Sequence, residues 1–367
     1  MIEVLLFGLS TNQGGIETYL KKIWDNIDHT RFHFNFIDMT GKGNVPYFYN
    51  ELKASGCRFY KVTPRNVSIS RNRSDLNRLF ATKKFDIFHF NVNTLSYILP
   101  VEIALKHGCK VVVHSRNGGA SNKLITNILH QINKKRLCKL DINRIAVSAL
   151  AGDWLFGESK FKVFNNGIDV EKFTFNCLSR NNLRNSLNCS DKTVIGNVGA
   201  FLPAKNHRFI IDVFNEYQKI NKNSVLWLVG DGYLKEDIES YVTKQNLQNK
   251  VLFLGKRNDI PDIYSAMDIF LFPSLFEGFP NAVLEAQCEG LPCIVSDCIT
   301  KEVLITDNIR AIALSDSISS WVKGIQLFTN TYHNDRKDSA AIIRKSGFSV
   351  KDEIKRLESF YISILKL

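Results

Sequence analysis

The sequence predicts an α/β fold with two domains, each a doubly wound parallel sheet covered by helices. Short apolar runs rich in β-branched and aromatic residues alternate with helical stretches along the chain, which is the pattern of parallel βαβ units. The length of 367 residues suits about two domains. Glycine-containing turns follow strands in both halves, and such turns let backbone approach a ligand closely.

The composition is that of an ordinary globular protein, with 44% hydrophobic and 23% charged residues. The eight cysteines form no C-x-x-C pair and no His-spaced cluster, so we expect reduced, mostly buried thiols and no metal site. The chain opens on an apolar strand without the charged and apolar regions of a signal peptide. It has no apolar run near the length of about 20 residues that crosses a membrane.

The excess positive charge lies in the first half of the chain. Residues 1–180 hold 26 Lys and Arg against 14 Asp and Glu, whereas residues 181–367 hold 22 of each. The excess is concentrated in residues 58–84 and 123–144, each of which contains a single acidic residue. This asymmetry indicates a binding surface for an anionic partner.

The first half alternates strands and helices. The predicted strands cover residues 2–8, 32–37, 58–62, 86–91, 110–114 and 143–148, and the predicted helices cover residues 47–55, 76–82, 97–107, 123–140 and 149–156. Gly14 and Gly15 follow the first strand. A tight structural turn explains them about as well as a ligand site does, because the G-x-G-x-x-G spacing is absent. The turn around Asn166 and Gly167 closes this half.

Residues 123–140 form a predicted basic amphipathic helix, with apolar residues near helical spacing and cations between and after them. Such a helix suits an anionic membrane surface. The alternative is a surface helix that packs its apolar face on the sheet. Nucleic acid is disfavoured, because no aromatic-and-basic module is visible.

Two histidines and an arginine lie at or near the ends of predicted strands. His89 and His114 each fit a satisfied structural histidine as well as a functional one. Arg116 adds a fixed positive charge, or is a solvated turn cation.

The second half repeats the strand–helix pattern after a polar tract at residues 176–192, which is a candidate linker and first helix. Its predicted strands cover residues 193–199, 225–232, 251–260, 268–272 and 290–296, and an amphipathic helix covers residues 351–365. Lys205 lies in the loop after the first of these strands. It is a candidate to neutralise an anion, or a residue that caps the following helix.

The most informative stretch runs from Phe272 to Ala286. An apolar strand ends at Phe272, a Gly-Phe-Pro turn follows, and a helix comes next with Asn281 at the predicted N-cap. This geometry aims helix amides at the carboxyl end of a strand, where phosphates bind. Glu277 and Glu285 flank the turn. Carboxylates near a phosphate site usually accept hydrogen bonds from sugar hydroxyls. Alternatively, both are ordinary surface residues.

The pattern P-S-x-x-E-G-F-P-N-x-x-x-E-A resembles the donor-site signature of the retaining glycosyltransferases of family 4, and other motifs occur in the family's order. The resemblance implies the GT-B fold, with two Rossmann-like domains facing a central cleft. Residues 1–172 would bind the acceptor and residues 173–348 the nucleotide-sugar donor. The helix in residues 349–367 would pack back on the first domain.

The resemblance also implies roles for individual residues. Glu277 would contact the transferred sugar, Glu285 the ribose, Lys205 the diphosphate, and His114 the donor sugar from the first domain. Residues implied to bind the donor nucleotide are Gly14, Gly15, Gly230, Arg257, Asn258, Ile260, Gly278, Phe279, Pro280, Asn281, Ala282 and Val283. His89, Arg116 and Asn166 are candidates for the acceptor side of the cleft.

One position departs from the family pattern. Ala200 stands where the family usually has an arginine that faces the diphosphate, and losing a preorganised charge there could cost a few kcal/mol of barrier. Arg116 or Arg257 could substitute, the enzyme could be slow, or a partner subunit could be needed.

The resulting hypothesis is a retaining glycosyltransferase that uses a UDP-sugar and no metal or other cofactor. Its acceptor would be a glycan or a lipid-linked oligosaccharide of bacterial surface polysaccharide synthesis. It would work in the cytoplasm, on the inner face of the membrane. Two alternatives stay open: a non-catalytic subunit of a transferase complex and a nucleotide-sugar epimerase.

Overall fold

The computed structural model describes residues 1–120, 123–331, 336 and 338–365. The chain divides into two compact units, Met1–Asn165 with Lys351–Leu367 (unit 1) and Asn166–Val350 (unit 2). The division falls at residue 165, ahead of the predicted position 172. The intervening turn belongs to unit 2 because Ile168 pairs there: its N–H donates to the carbonyl of Phe348 over 2.9 Å, and its own carbonyl accepts from Val350 over 2.8 Å.

Unit 1 is a seven-stranded parallel sheet in the order β3-β2-β1-β4-β5-β6-β7. Its central strands are largely buried, as expected where helices cover both faces of a parallel sheet, whereas the edge strands at Arg58–Lys61 and Lys162–Val163 are not. The strands are β1 (Ile2–Phe7), β2 (Phe32–Asp38), β3 (Arg58–Lys61), β4 (Ile87–Val92), β5 (Lys110–Ser115), β6 (Asn143–Ala146) and β7 (Lys162–Val163). The helices are α1 (Gly15–Asn26), α2 (Tyr49–Ala54), α3 (Ile69–Thr82), α4 (Leu99–Lys106), α5 (Leu124–Leu137), α6 (Ala149–Phe156) and the terminal helix α14 (Val350–Leu365).

Unit 2 is a six-stranded parallel sheet in the order β10-β9-β8-β11-β12-β13. Its core includes Trp227 and Trp321, neither of which is exposed. The strands are β8 (Thr193–Val198), β9 (Ser224–Val229), β10 (Val251–Gly255), β11 (Ile269–Phe272), β12 (Cys293–Ser296) and β13 (Ile309–Ile312). The helices are α7 (Cys177–Ser186), α8 (His207–Ile220), α9 (Lys235–Lys244), α10 (Ile260–Ala266), α11 (Asn281–Cys288), α12 (Ile318–Thr331) and α13 (Ser339–Lys345).

Both sheets therefore reverse their strand order next to their first strand. In unit 1 the reversal lies between β1 and β4, and in unit 2 it lies between β8 and β11. In doubly wound sheets, ligands bind in the crevice outside the carboxyl ends of the strands at this reversal. The topology thus marks one candidate ligand position in each unit.

The predicted start of α3 at residue 76 is wrong. The helix begins at Ile69, where Ser68 Oγ caps it by accepting a hydrogen bond from the N–H of Arg71 over 3.3 Å. The arginine-rich first turns concealed the helix, because they carry few apolar residues to set its period.

The terminal helix α14 packs within unit 1. Tyr361 and Leu357 on this helix are almost fully buried. Lys22 Nζ lies 2.5 Å from the Glu353 carboxylate, and the N–H of Asp28 donates to Glu358 over 2.8 Å. The chain thus returns to its first unit after completing the second.

Candidate active site

A lysine and a glutamate are paired at the reversal point of unit 2. Lys205 lies in the loop after β8 and Glu277 in the loop after β11. Lys205 Nζ is 2.6 Å from Glu277 Oε1, and the two side chains are only 19% and 14% exposed. The ammonium also lies 4.8 Å from the ring centroid of Phe272. A partly desolvated ion pair therefore occupies the place where the topology expects a ligand.

Backbone hydrogen bonds tie these two loops together. The N–H of Leu275 donates to the carbonyl of Ala204 over 2.8 Å, and Asn206 Nδ2 donates to the carbonyl of Pro273 over 3.3 Å. Asn206 itself has φ +55°, a left-handed conformation that asparagine tolerates better than most residues. The positions of Lys205 and Glu277 are thus set by the scaffold and not by the ion pair alone.

The predicted N-cap role of Asn281 is wrong. Helix α11 begins at Asn281, and its N-cap residue is Pro280. Instead Asn281 Oδ1 accepts a 2.9 Å hydrogen bond from Nδ2 of Asn166, which is 5% exposed. Asn166, a predicted residue of the acceptor side, thus supports helix α11 in unit 2.

The first turn of α11 leaves fewer amides than predicted for a diphosphate. The N–H of Asn281 donates to Phe279 and the N–H of Val283 donates to Pro280, both over 3.0 Å. The N–H of Ala282 makes no hydrogen bond to the part of the chain that the structure describes. Of the three predicted amides, Ala282 is therefore the one positioned to meet an anion at this helix terminus.

Phe279 and Pro280, two residues predicted to bind the donor nucleotide, have structural contacts in the turn before α11. Phe279 is 7% exposed and stacks on Phe348 with ring centroids 5.8 Å apart. Pro280 accepts the hydrogen bond that starts the helix. Gly278 lies between Glu277 and this anchored pair. The turn is thus fastened to unit 2 on its buried side, with Glu277 at its edge.

Glu285 lies one turn into α11 and is oriented by a buried tyrosine. Tyr264 Oη on α10 donates to Glu285 Oε2 over 3.1 Å, and Tyr264 is fully buried. Burial and the Glu285 charge both raise the pKa of Tyr264 well above its ordinary value, so its proton stays on the hydroxyl. No periodicity or motif in the sequence indicates Tyr264, because its contact with Glu285 depends on two helices that meet in space.

A second carboxyl, Glu289, lies just after α11 and is fully buried. Ser265 Oγ donates to its Oε2 over 2.7 Å. Burial raises the pKa of Glu289 to about 7, against the hydrogen bond from Ser265 and the charge of Arg336, which both lower it. This contact fastens the end of α11 to α10.

Gly230 lets the turn after β9 pack closely against the turn after β8. It has φ +138°, and a Cβ at this position would come within 2.1 Å of the carbonyl oxygen of Gly199. Its N–H donates to the carbonyl of Gly255 over 2.9 Å. Ala200 is exposed in the adjoining turn. A glycine is therefore required at 230 by backbone packing, whether or not a ligand lies nearby.

Arg257 has its charge balanced locally. Its guanidinium makes a bidentate pair with Asp259, over 2.8 Å from Nε to Oδ1 and 2.5 Å from Nη2 to Oδ2. The hydrogen bond from Arg257 lowers the pKa of Asp259. Asn258 is exposed between them, and Ile260 begins α10. While Arg257 stays paired with Asp259, it cannot fully supply the positive charge of the arginine that the resembled family usually has at the position of Ala200.

In unit 1, Gly14 and Gly15 form the N-terminus of α1. Gly14 precedes the helix in an extended conformation, and Gly15 is its first residue. Glu17 is 6% exposed and accepts hydrogen bonds from both the N–H and the Oγ of Ser10, over 2.9 and 2.7 Å. A Cβ at Gly14 would come within 2.8 Å of the Glu17 carboxylate. Gly14 thus makes room for this carboxylate.

His89 and His114 belong to a buried hydrogen-bond chain. His89 Nδ1 is 2.5 Å from Tyr361 Oη, His89 Nε2 is 3.1 Å from His114 Nδ1, and His114 Nε2 is 3.2 Å from an Nη of Arg116. Burial lowers the pKa of His89 to about 3 and that of His114 well below its ordinary value, so both rings are neutral. Arg116 also covers the ring of Tyr19, with 3.6 Å to the centroid.

The donor and acceptor roles in this series of hydrogen bonds follow from Arg116, which stands at one end of it. Arginine only donates, so His114 Nε2 accepts and His114 Nδ1 carries the proton. His114 therefore donates to His89 Nε2, and His89 Nδ1 donates to Tyr361. Both ring nitrogens of both histidines therefore take part in hydrogen bonds. Tyr361, at the other end of the series, lies on the terminal helix α14. His89 thus has the structural role that the sequence left open.

Helix α5 shows apolar side chains to solvent. Its buried residues are His130, Asn133 and Leu137. His130 stacks on Trp154 at 4.4 Å between ring centroids, and Asn133 Nδ2 donates to the carbonyl of Leu95 over 2.7 Å. The exposed residues on α5 are Leu124 (74%), Ile125 (72%), Ile128 (50%), Leu129 (38%) and Ile132 (51%). The alternative in which this apolar face packs on the sheet is therefore wrong.

The described residues include no metal-ligand cluster and no membrane-spanning helix. Among them, no group of three or more His, Cys, Asp or Glu side chains could hold a metal ion. No helix in that part of the chain has both the length and the apolar character to cross a membrane. The eight cysteines are free, and Cys138, Cys177 and Cys298 are exposed.

Comparison with known proteins identifies the second unit. The family described as "Glycosyl transferases group 1" matches residues 179–346. These residues are similar to that family and make up most of unit 2. They contain both members of the Lys205–Glu277 pair, and Glu285 as well.

Two relatives resemble nearly the whole chain. The Bacillus subtilis protein EpsF is 28% identical over 95% of this chain and 94% of its own length. The Escherichia coli UDP-Gal:alpha-D-GlcNAc-diphosphoundecaprenol alpha-1,3-galactosyltransferase is 26% identical over 96% of this chain and 94% of its own length. The predicted resemblance to bacterial exopolysaccharide glycosyltransferases is confirmed.

A solved structure has the same fold. Anabaena Alr3699/HepE, in complex with UDP and glucose, aligns with a TM-score of 0.80 at 17% identity. The alignment covers 99% of this chain and 100% of that one. The predicted α/β GT-B fold of this glycosyltransferase is confirmed.

Proposed function

We propose that this glycosyltransferase transfers a sugar from a UDP-sugar to a glycan or lipid-linked acceptor, with retention of the anomeric configuration. The observation that supports the proposal most directly is the Lys205–Glu277 pair. The two charged groups lie 2.6 Å apart where the strand order of the unit 2 sheet reverses. The named donor and acceptor of the Escherichia coli relative support a UDP-sugar and a lipid diphosphate-linked acceptor. The UDP and glucose bound by HepE support the same donor class.

In this proposal the ion pair opens when the donor binds. The diphosphate competes for Lys205, because two phosphates carry more negative charge than one carboxylate, and Glu277 is released to accept hydrogen bonds from the sugar hydroxyls. The N–H of Ala282 adds a second contact to the diphosphate at the start of α11. Glu285, held by Tyr264, accepts from the ribose hydroxyls.

The proposed chemical step breaks the bond between the anomeric carbon and the diphosphate oxygen, and its electron pair leaves with UDP. Lys205 and the helix amides stabilise the charge that develops on the leaving group. The acceptor hydroxyl attacks the oxocarbenium-like carbon from the same face, and its proton passes to the departing phosphate oxygen. No metal or other cofactor takes part in the proposed step.

Ala200 motivates the second candidate, a non-catalytic subunit of a transferase complex. The arginine usual at this position is absent, and Arg257 is held by Asp259. A chain that binds UDP through Glu285 but cannot stabilise the leaving group would bind without turnover. The remaining candidate, an epimerase, would change the donor sugar without any acceptor.

A transfer assay distinguishes these candidates. The purified chain is incubated with UDP-glucose, UDP-galactose or UDP-N-acetylglucosamine and with N-acetylglucosamine linked by a diphosphate to a short polyprenol. UDP release is measured together with the mass and anomeric configuration of the product. We expect an α-linked product, and a rate about 100-fold lower for Lys205→Met and Glu277→Gln. Lys219→Met, an exposed lysine of the same unit, is the matched control.

Each other outcome overturns the proposal in a recognisable way. UDP binding without release from any donor would indicate the non-catalytic subunit. A changed sugar on UDP in the absence of acceptor would indicate an epimerase. A product of inverted configuration would contradict the retaining mechanism.

We also propose that unit 1 binds an anionic membrane surface through α5, as a peripheral protein on the cytoplasmic face. The five exposed apolar side chains of α5 support this, since they can enter the interface while nearby cations meet anionic headgroups. Those cations include Lys123, Lys135 and Lys139. Vesicle flotation tests the proposal.

We expect the chain to float with vesicles that contain phosphatidylglycerol and not with pure phosphatidylcholine vesicles. The triple variant Leu124→Ser, Ile125→Ser, Ile128→Ser should lose flotation. Leu178→Ser, which alters an exposed leucine of unit 2, should retain it. Equal flotation of the triple variant and the unmodified chain would refute the role of α5.

A further inference from the structure

We infer that residues 166–173 position helix α11 for donor binding, with Asn166 as the positioning residue at the end of the helix that meets the diphosphate. This inference rests on the proposed function, because it takes α11 to be the helix that contacts the donor. Unit 2 begins at Asn166 and ends at Val350. Residues 166–173 are the entry segment of this unit, and residues 348–350 are its exit segment.

The entry segment contacts α11 at both of its ends. At the first residue of the helix, Asn166 Nδ2 donates to Asn281 Oδ1 over 2.9 Å. At the last residue, Cys288 Sγ lies 3.8 Å from the carbonyl oxygen of Val170. The eight residues of α11 extend about 12 Å, so the entry segment follows the helix along its whole length. Contacts at both ends oppose a shift of the helix along its axis.

The entry segment is itself held by the exit segment. The N–H of Ile168 donates to the carbonyl of Phe348 over 2.9 Å, and the carbonyl of Ile168 accepts from Val350 over 2.8 Å. Gly167 permits this approach, because a Cβ there would come within 2.4 Å of the carbonyl oxygen of Ser349. Backbone pairing therefore fixes the entry segment independently of its side-chain contact with α11.

The exit segment also contacts the turn before α11. The ring of Phe348 stacks on Phe279, with centroids 5.8 Å apart and planes inclined by 17°. Phe279 lies two positions before Asn281. The start of the helix is thus held by an aromatic contact just ahead of it and by the asparagine pair at its first residue. The direction of the Ala282 N–H, the next amide along the chain, depends on both contacts.

The two nucleotide contacts of α11 depend on Asn166 to different degrees. A hydrogen bond from the Ala282 N–H to a phosphate weakens steeply when the donor is misaligned, and Asn166 supports the residue next to it. Glu285 lies one turn further along and is held separately by Tyr264 of α10. Loss of the asparagine pair should therefore weaken binding of the phosphates more than binding of the nucleoside.

The test compares UDP with uridine, which lacks the phosphates. Calorimetry measures the Kd of UDP, and saturation-transfer NMR measures the Kd of uridine. We expect Asn166→Ala to raise the Kd of UDP about tenfold and to leave that of uridine unchanged. Asn165→Ala is the matched control, because the neighbouring asparagine donates one 3.0 Å hydrogen bond to the carbonyl of Val147 within unit 1. This control should bind UDP like the unmodified chain.

A double-mutant cycle tests whether the effect passes through the asparagine pair. Asn281→Ala removes the same hydrogen bond from the helix side. The double variant should bind UDP no more weakly than either single variant, because both substitutions act through one contact. If Asn166→Ala does not fold, Asn281→Ala replaces it in the comparison of UDP with uridine, since the Asn281 side chain is partly exposed.

The outcomes for the positioning role and for the proposed function are distinguishable. Unchanged UDP binding by Asn166→Ala overturns the inference. An equal loss of UDP and uridine overturns it too, because that result indicates a general distortion of unit 2. Additive losses in the cycle, or weakened UDP binding by Asn165→Ala, also contradict it. Failure of the unmodified chain to bind UDP would instead count against the proposed function.

Discussion

The buried carboxyl of Glu289 should make the stability of unit 2 fall as the pH rises. Its pKa is raised from an ordinary 4.5 to about 7, so the folded chain binds more protons than the unfolded chain between these values. The contribution of Glu289 to the free energy of unfolding is therefore greatest below pH 4.5 and is lost as the pH rises towards 7. At about 1.4 kcal/mol per pKa unit, the full effect is about 3 kcal/mol.

Replacing Glu289 by glutamine should remove this dependence. Between pH 5 and pH 8 the free energy of unfolding of the unmodified chain should fall relative to Glu289→Gln by about 2 to 3 kcal/mol, measured by urea denaturation at several pH values. Glu236→Gln changes an exposed carboxyl of the same unit and is the control. If the difference between Glu289→Gln and the unmodified chain does not change with pH, the reasoning from burial is wrong.

Two further substitutions test contacts within unit 2, one at the amino end of β11 and one at the candidate site. Asp268→Asn should lower the free energy of unfolding by about 3 kcal/mol, because Arg180 and Arg184 both pair with this carboxylate and would be left buried; a loss below about 1 kcal/mol in urea denaturation would contradict this estimate. Tyr264→Phe should raise the Kd of UDP about tenfold, because it removes a hydrogen bond to a charged Glu285 worth about 1.5 to 3 kcal/mol. An unchanged Kd by calorimetry would show that Tyr264 does not position Glu285.

Strand-and-turn patterns carried most of the fold prediction. A buried parallel strand such as β11 is a continuous apolar run, so it could be found from sequence. The glutamates of the α11 turn could be placed by the same reasoning, because strand, turn and helix follow each other directly in the chain. Local sequence order was enough wherever the relevant groups were neighbours in sequence.

Contacts between distant segments were beyond such reasoning. The pairing of Tyr361 with His89 joins residues 272 positions apart, and that of Asn166 with Asn281 joins residues 115 apart. The exposed apolar face of α5 has a similar cause. Helical spacing identifies an apolar face, but whether that face is buried depends on His130 packing inward instead, which no local pattern indicates.

The most direct measurement of the central claim is nucleotide binding by the purified chain. UDP, GDP, ADP and CMP are titrated by calorimetry and thermal shift into the unmodified chain and Glu285→Ala. At 100 times its Kd, UDP should stabilise the fold by about 2.7 kcal/mol, and Glu285→Ala should bind it at least tenfold more weakly. Absence of binding by any nucleoside diphosphate, or equal binding by Glu285→Ala, would contradict a donor site built on α11.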